Sequence, residues 1–399
     1  RNQVAVTSAA FVGFTGSTLV MPFLALYIQE LGVTDVGQVA LWTGLTLGAT
    51  PLITALCAPF WGRIADRYGN KILVQRSLLS FVVVMAAMAY ATEAWHLFVL
   101  RALQGFVAGY GPLTLSMAAA SVPRERMASA IGTVQTAQRI GPTVGPVIGG
   151  VLAGAVGHRH AFLVAAAVYL VALVLITVLY TEPPRAAGVA RSARVRMPFR
   201  DILSFENFLL ALALILGTQL VERSFEPVLP LYLKIVGYST ARVSLVAGVI
   251  FSTLAVAGAL GHQLAATLLP RMSARRIIVL ALLAAAAGLS MFASVTSLAM
   301  LMAGMALVGL GIGTASTVAY SAAGAVVPRH AHGASFGLLT GASLLGMSFG
   351  PMLGGLVAAR SITVVFVMGV VTFGLLAIVV RRTMVVRTRQ VESPIESDV

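Results

Sequence analysis

Twelve apolar stretches, each about the length a helix needs to cross a bilayer, run through this chain with only short polar breaks between them. They lie at 5–28, 39–61, 72–92, 97–121, 129–154, 161–180, 207–233, 243–267, 277–295, 298–323, 333–358 and 362–380. A hydrocarbon core about 30 Å thick takes roughly 20 residues at the helical rise, so each stretch reads as one span. A membrane β-barrel would alternate apolar and polar residues along its strands. Runs such as Phe81–Met88 and Leu280–Ala287 do not alternate. Soluble domains are excluded by composition: 10% of the 399 residues are charged and 58% are hydrophobic, against roughly 25% charged in an ordinary globular domain. The expected fold is all-α, a polytopic membrane protein of twelve transmembrane helices.

The charges present are unbalanced, 27 Lys and Arg against 13 Asp and Glu. In a soluble protein this excess would point to nucleic acid; in a membrane protein it collects in cytoplasmic loops. With the N-terminus inside, the inner segments hold Arg1, Arg63, Arg67, Lys71, Arg76, Arg124, Arg126, the five arginines of 185–200, Arg271, Arg275, Arg276, Arg329 and four arginines of the tail, 20 in all. The outer loops hold four, Arg159, Lys234, Arg242 and Arg360, and the spans hold Arg101, Arg139 and Arg223. Both termini are therefore expected in the cytoplasm, and no nucleic-acid partner is needed. The connection 181–206, with Pro183, Pro184 and Pro198, is expected to be a cytoplasmic linker between an N-terminal half, 1–180, and a C-terminal half, 207–380, with 381–399 as a cytoplasmic tail. Its arginines suit a topology signal, with anionic lipid or a partner as the other reading.

The lone cysteine, Cys57, gives no disulfide and no thiolate metal cluster. Met300, Met302 and Met305 do not share one helical face, so no metal site is expected. The chain begins at Arg1 and not at a Met, so a preceding segment is expected to have been trimmed.

Shifting the chain by 205 residues lays one half on the other without a gap. Pro22 and Tyr27 fall on Pro227 and Tyr232, and Pro123-Arg124 falls on Pro328-Arg329. Gly132, Gly141, Gly145-Pro146 and Gly149-Gly150 fall on Gly337, Gly346, Gly350-Pro351 and Gly354-Gly355. The spans therefore form two pseudo-symmetric six-helix halves. Parallel halves related by an axis along the membrane normal are a recurrent transporter plan, with cargo bound between them near the midplane. No G-x-x-x-x-G-K-[ST] phosphate loop occurs, so an ion gradient is the expected energy source.

Three motifs strengthen that reading. The loop after the second span reads Gly62-Arg-Ile-Ala-Asp66-Arg67-Tyr-Gly69-Asn-Lys71, the fourth span contains Leu100-Arg101-Ala-Leu-Gln104-Gly105, and the fifth contains Gly141-Pro142-Thr-Val-Gly145-Pro146-Val-Ile-Gly149-Gly150. The first resembles the hallmark loop of the major facilitator superfamily, the second the motif of its proton-coupled members, the third the antiporter motif of its exporters. From Met21-Pro22 to Gly150 the chain is similar to the twelve-span drug:proton antiporters of bacteria. That resemblance implies a monomeric inner-membrane exporter driven by protons, with no cofactor. Thr267 and Arg271 stand where the repeat puts Gly62 and Asp66, so the gating loop is expected on one side only.

In physical terms, Gly62 and Gly69 allow tight turns at helix ends. Asp66 can accept bonds at a helix N-terminus, while Arg67 and Lys71 pair across the cytoplasmic face. In the fifth span Gly141, Gly145 and Gly149 share a face for close helix contact, and Pro142 and Pro146 bend the helix.

Ionisable groups inside spans are costly and functional by default. Gln219, Glu222, Arg223 and Glu226 follow i, i+3, i+4, i+7 spacing and put one polar stripe toward the bundle interior. Arg223 and Glu226 can pair, which leaves Glu222 the less neutralised carboxylate and a proton-coupling or substrate residue. Glu226 is either a second coupling group or a paired structural group at the outer interface. Gln135, Gln138 and Arg139 repeat the spacing on the fifth span and, with Gln219 and Arg223, are the expected substrate-binding residues. Arg139 stands about 15 Å deep, where it meets either a substrate or an internal carboxylate. The resemblance implies that Arg101 holds first-span backbone carbonyls and tunes a neighbouring carboxylate. His262 reads as packing or as a relay, and Tyr27, Trp42, Trp61, Tyr110, Tyr232 and Tyr238 as an aromatic pocket or an interfacial belt.

The function expected is a secondary active transporter, not an enzyme, that exports small amphipathic molecules in exchange for protons. Its alternative is a proton-coupled importer or facilitator of a nutrient. Two glutamates would suit a cationic cargo and three arginines an anionic one, and the sequence leaves both open.

Overall fold

The computed structural model describes residues 1–123, 126–182, 199–293, 297–328 and 331–385, without the side chains at 58, 59, 62, 63, 65–68, 128, 199, 241, 293, 332 and 333. Its helices fall on the twelve apolar stretches. In the first half, α1 (Asn2–Thr18) and α2 (Leu24–Glu30) form span one, α3 (Val36–Tyr68) span two and α4 (Asn70–Ala89) span three. Then α5 (Ala94–Phe106) and α6 (Tyr110–Ala120) form span four, α7 (Met127–Val156) span five and α8 (His158–Leu179) span six. The short α9 (Phe199–Leu203) precedes the second half, where α10 (Phe208–Ser224) and α11 (Leu229–Ile235) form span seven. The rest are α12 (Thr240–Leu268), α13 (Ala274–Ser290) with a 3-10 turn at Met291–Ala293, α14 (Leu298–Val326), α15 (His332–Ala358) and α16 (Ile362–Thr383). Among the described residues, eight helices are individually long and apolar enough to cross a membrane, and the α10–α11 pair, bent by 42°, makes a ninth if it is one span.

Three spans are broken where the sequence pattern suggested continuous helices. Pro22 and Pro227, at equivalent points of the repeat, supply no backbone donor. Around them the chain tightens to i→i−3 bonds, Met21 N–H to Thr18 O at 3.2 Å and Glu226 N–H to Arg223 O at 3.3 Å. The third break, Val107–Gly109, uses Gly109 at φ +126°. Carbonyls released inside a bilayer need partners from neighbouring helices. Arg76 Nη2 and Ser77 Oγ each donate to Val107 O at 2.8 Å, and Trp61 Nε1 donates to Phe106 O at 2.5 Å. Arg76, assigned by charge counting to an inner loop, thus lies in α4 with its guanidinium 3.4 Å over the Trp61 ring. Trp61 supports the break.

Glycine ladders set the packing inside each half. A Cβ at Gly141 or Gly145 would stand 2.8 Å from Phe11 O or 2.6 Å from Thr15 O of α1; at Gly346 or Gly350 it would stand 2.6 Å from Leu216 O or 2.5 Å from Leu220 O of α10. These pairs obey the 205-residue shift. Spans two to four do not: Gly105 meets Thr50 O while Gly309 meets Leu254 O, and Tyr27 donates to Met88 O while Tyr232 donates to Phe292 O. Those partners are 204 apart, so the gap-free repeat is corrected by one residue lost between Gly237 and α12. The positions facing Gly62 and Asp66 are consequently Ala266 and Pro270.

The same ladders show which end of the molecule is shut. Gly150 and Gly355 face the opposite half, against Ser244 O of α12 and Ala40 O of α3. Gly132 and Gly337 lie 18 residues earlier, five whole turns, and so share that face about 27 Å nearer the termini. Among the described residues nothing lies within 4 Å of where their Cβ atoms would be. Lys234 Nζ to Gln29 Oε1, 3.0 Å, adds a link at the shut end. The halves meet away from the termini and diverge toward them.

One repeated device escaped the sequence reading. Asn2 Nδ2 donates to Thr181 O at 2.7 Å while Thr181 N–H donates to Asn2 Oδ1 at 3.0 Å; Asn207 does the same with Val385, at 2.9 and 3.0 Å. Each half thereby pins the chain leaving its sixth span to the start of its first.

Candidate functional site

A cavity of about 310 Å³ opens between the halves, lined from α7 by Gln138, Arg139 and Pro142 and from α10 by Ile215, Gln219, Glu222 and Arg223. His262 of α12 and Ser316 and Tyr320 of α14 line it as well. Of the substrate residues expected from sequence, Gln138, Arg139, Gln219 and Arg223 converge here. Gln135 does not: it is exposed one turn nearer the termini and is not part of this lining.

The helical spacing of span seven produces its charge cluster directly. Arg223 Nη1 donates to Glu226 Oε1 at 2.5 Å, and Arg223 Nη2 lies 3.9 Å from Glu222 Oε1. Gln219 Nε2 donates to the other Glu222 oxygen at 2.9 Å. Glu226 is buried, only 6% exposed. Glu222, with its side chain 21% exposed, keeps access to the cavity. Arg101, also 6% exposed, is within electrostatic reach of Glu226. It donates to Gln104 Oε1 at 3.1 Å, while its Nε and Nη2 have no hydrogen-bond partner among the described residues. First-span carbonyls, the partners implied by resemblance, are not among its bonds. His262 pairs through Nδ1 with Thr317 Oγ1 at 2.7 Å and faces the charge of Arg139.

The Gly141–Gly150 segment, expected from sequence as an antiporter motif, forms a packing ladder. Gly141, Gly145 and Gly149 bring α7 onto α1, and Gly150 brings it onto α12. Pro142 and Pro146 lie inside an unbroken α7. Thr143 O, between them, accepts from Ser252 Oγ of the other half at 2.5 Å.

In the gating loop, the side chains of Asp66 and Arg67, and the surroundings of Gly62, lie outside the described residues. The α3 backbone runs unbroken through Gly62 to Tyr68, and the turn falls at Gly69, φ +99°. Among the described residues Lys71 bonds within its own half and not across the face: its Nζ donates to Tyr180 O at 2.6 Å and Thr177 O at 3.2 Å, at the C-terminus of α8. Glu182 accepts the Asn70 N–H at 2.9 Å, at the N-terminus of α4. Both ends of the contact thus put the favoured charge on a helix dipole within one half. Glu182 and Arg76 are the site-supporting residues that sequence reasoning missed. An acid directly after the sixth span, and an arginine a turn and a half into the third, were the available signals.

The Major Facilitator Superfamily model matches residues 6–292 and 244–398. The chain belongs to the major facilitator superfamily. As a superfamily member it is a transporter and a multi-pass membrane protein. It is 31% identical over 287 residues to the multidrug resistance protein MdtG of Citrobacter koseri, covering 71% of this chain and 70% of that protein. MdtG of Proteus mirabilis is 29% identical over 295 residues, 73% of this chain and 71% of the relative. A bacterial homolog of the human lysosomal transporter Spinster, in an inward-facing and occupied conformation, shares the superfamily fold with TM-score 0.78, 18% identity and 96% coverage of both chains. A D-xylose–proton symporter does so with TM-score 0.77, 12% identity and coverage of 96% and 97%.

Proposed function

We propose that this superfamily transporter exports small amphipathic molecules across the cytoplasmic membrane in exchange for protons. The observation that carries the proposal is a cavity between the halves that holds Glu222 beside Arg223 and is shut at the end away from the termini. The multidrug resistance relatives support export as the direction. The 20 basic residues of the inner segments support cytoplasmic termini, which makes the present conformation inward-facing. The halves 1–180 and 207–380 rock about the cavity, joined by 181–206, while 381–399 remains cytoplasmic. The protein works as a monomer, with the proton gradient in place of any cofactor.

Glu222 is the coupling carboxylate in this scheme. It touches the cavity and holds only a partial share of Arg223, so it can exchange a proton with whichever side the cavity faces. Glu226 holds Arg223 in place from behind, and Arg101 balances Glu226 from the other half. The test is transport in everted vesicles, reading proton movement as each compound is added. Cargo and protons are expected to move in opposite directions, and Glu222→Gln to lower pH-driven transport roughly tenfold with insertion intact. Movement in the same direction would make the protein an importer, and full transport by Glu222→Gln would remove that residue from coupling.

A further inference from the structure

The charge of the cargo, open from sequence, can be read from which cavity charges are already engaged. Glu226 is bonded to Arg223 and has Arg101 nearby. Glu222 receives the Gln219 amide and lies against Arg223. Both in-span carboxylates therefore have cationic or donor neighbours within the protein. Arg139 differs: among the described residues its guanidinium makes no hydrogen bond and no ion pair, and the side chain is exposed to the cavity it lines. The neighbouring Gln138 is committed to its own half, its Nε2 donating to Gly111 O at 3.1 Å and Thr114 Oγ1 at 2.9 Å. The elements around the cavity offer Arg139 no free carboxylate. From α12 comes His262, from α14 Ser316 and Tyr320, from α15 Ser343, and from α10 the engaged Glu222.

A guanidinium carries five donors in a planar fork that matches an oxyanion. Leaving it uncompensated at membrane depth is costly unless something else fills the role. We propose that Arg139 is the anchor for an anionic group on the cargo, a carboxylate, sulfonate or phosphonate, whose apolar body rests on Pro142, Ile215, Leu254 and Ile312. The proposal rests on the cavity being the transport site. Arg139 belongs to the first half, whereas Ile215, Leu254 and Ile312 belong to the second. A bound anion therefore bridges the two halves, and its binding favours drawing them together on the open side. The small cavity fits a cargo at the low end of drug size.

The test uses the full chain in lipid nanodiscs and two probes with one fluorophore and similar tethers, dansyl-6-aminohexanoate and dansylcadaverine, anion and cation. The wild type is expected to bind the carboxylate about tenfold more tightly than the amine, the size of one charge-assisted interaction. Arg139→Gln should abolish that preference and Arg139→Lys should keep most of it. Modification of Arg139 by phenylglyoxal, followed by mass spectrometry on the unaltered protein, needs no variant to fold. The carboxylate should slow it several-fold and the amine should not. Preference for the amine, full preference in Arg139→Gln, or equal protection by both probes would each overturn the proposal. These readouts report binding alone. A failure of proton exchange with the preference intact would remove the export reading and leave the anion site standing.

Discussion

The two halves share a scaffold and differ in where they carry charge. The shared features are backbone contacts: glycine ladders on α7 and α15, the Tyr27 and Tyr232 hydroxyls on equivalent carbonyls, and the Asn2 and Asn207 clamps. The differences are chemical. Ser17, Thr18 and Met21 stand where the second half has Glu222, Arg223 and Glu226, while the first half alone has Arg101 and Arg139. Its fourth span is broken at Gly109, whereas the counterpart Gly313 lies inside continuous α14. Packing positions are thus held by symmetry, because both halves must close on the same neighbours. The first half contributes two in-span cations, Arg101 and Arg139, and the second half both carboxylates with Arg223, and the electrostatic reach between Arg101 and Glu226 spans the interface of the halves.

The largest test of this division removes Glu226. Truncating one member of a buried ion pair leaves the other charge uncompensated, at a cost of about 3–5 kcal/mol. Glu226→Ala should therefore lower thermal stability sharply, read by size-exclusion after heating. The symmetry-related Met21→Leu keeps volume and should cost less than about 1.5 kcal/mol. Equal melting of the two variants would mean that the ion pair contributes nothing beyond its scaffold position.

Gly149 and Gly354 test the shared part. Their added Cβ atoms would collide with Leu19 O and Ser224 O, backbone atoms that have nowhere to move. Gly149→Val and Gly354→Val should each cost roughly 1–3 kcal/mol, and by similar amounts. Gly132→Val lies on the same α7 face as Gly150 but at the open end, where no described residue approaches within 4 Å. It should leave stability unchanged and slow transport, since the added methyl groups obstruct closure there. A loss of stability in Gly132→Val would contradict an open terminal side.

These features were unequally legible in the sequence. Twelve spans, two halves and the charge stripe of α10 follow from periodicity, because burial in lipid demands long apolar helices and helical spacing fixes which side chains share a face. The breaks at Pro22 and Pro227 were visible as residues but not as breaks, since tolerance of a proline depends on donors brought by other helices. The one-residue slip in spans two to four was hidden because the strongest repeated motifs lie in spans one and five. Long-range partners are the least legible: nothing near Arg76 predicts Val107 O, and nothing near Lys71 predicts the end of α8. Arg139 stands out as unusual in the sequence, but its lack of a partner among the described residues depends on every wall of the cavity.

The smallest expected effect concerns the clamps. Asn2 and Asn207 each make two hydrogen bonds of nearly the same length to the chain leaving a sixth span, in exposed surroundings. A net value of about 1 kcal/mol is expected for Asn2→Ala and again for Asn207→Ala. Hydrogen exchange at Thr181 and Val385 would report each clamp separately, because both residues donate their own N–H to the asparagine. Equal acceleration at the two sites places the clamps with the glycine ladders, as scaffold held by symmetry. Acceleration at one site alone would mean that the exit of that half has diverged as the charges have. Near the first clamp, Glu182 and Lys71 already tie the chain after α8 to α4. Asn2→Ala combined with Glu182→Gln should consequently exceed the sum of the single effects, since each contact holds the same few residues in place when the other is gone.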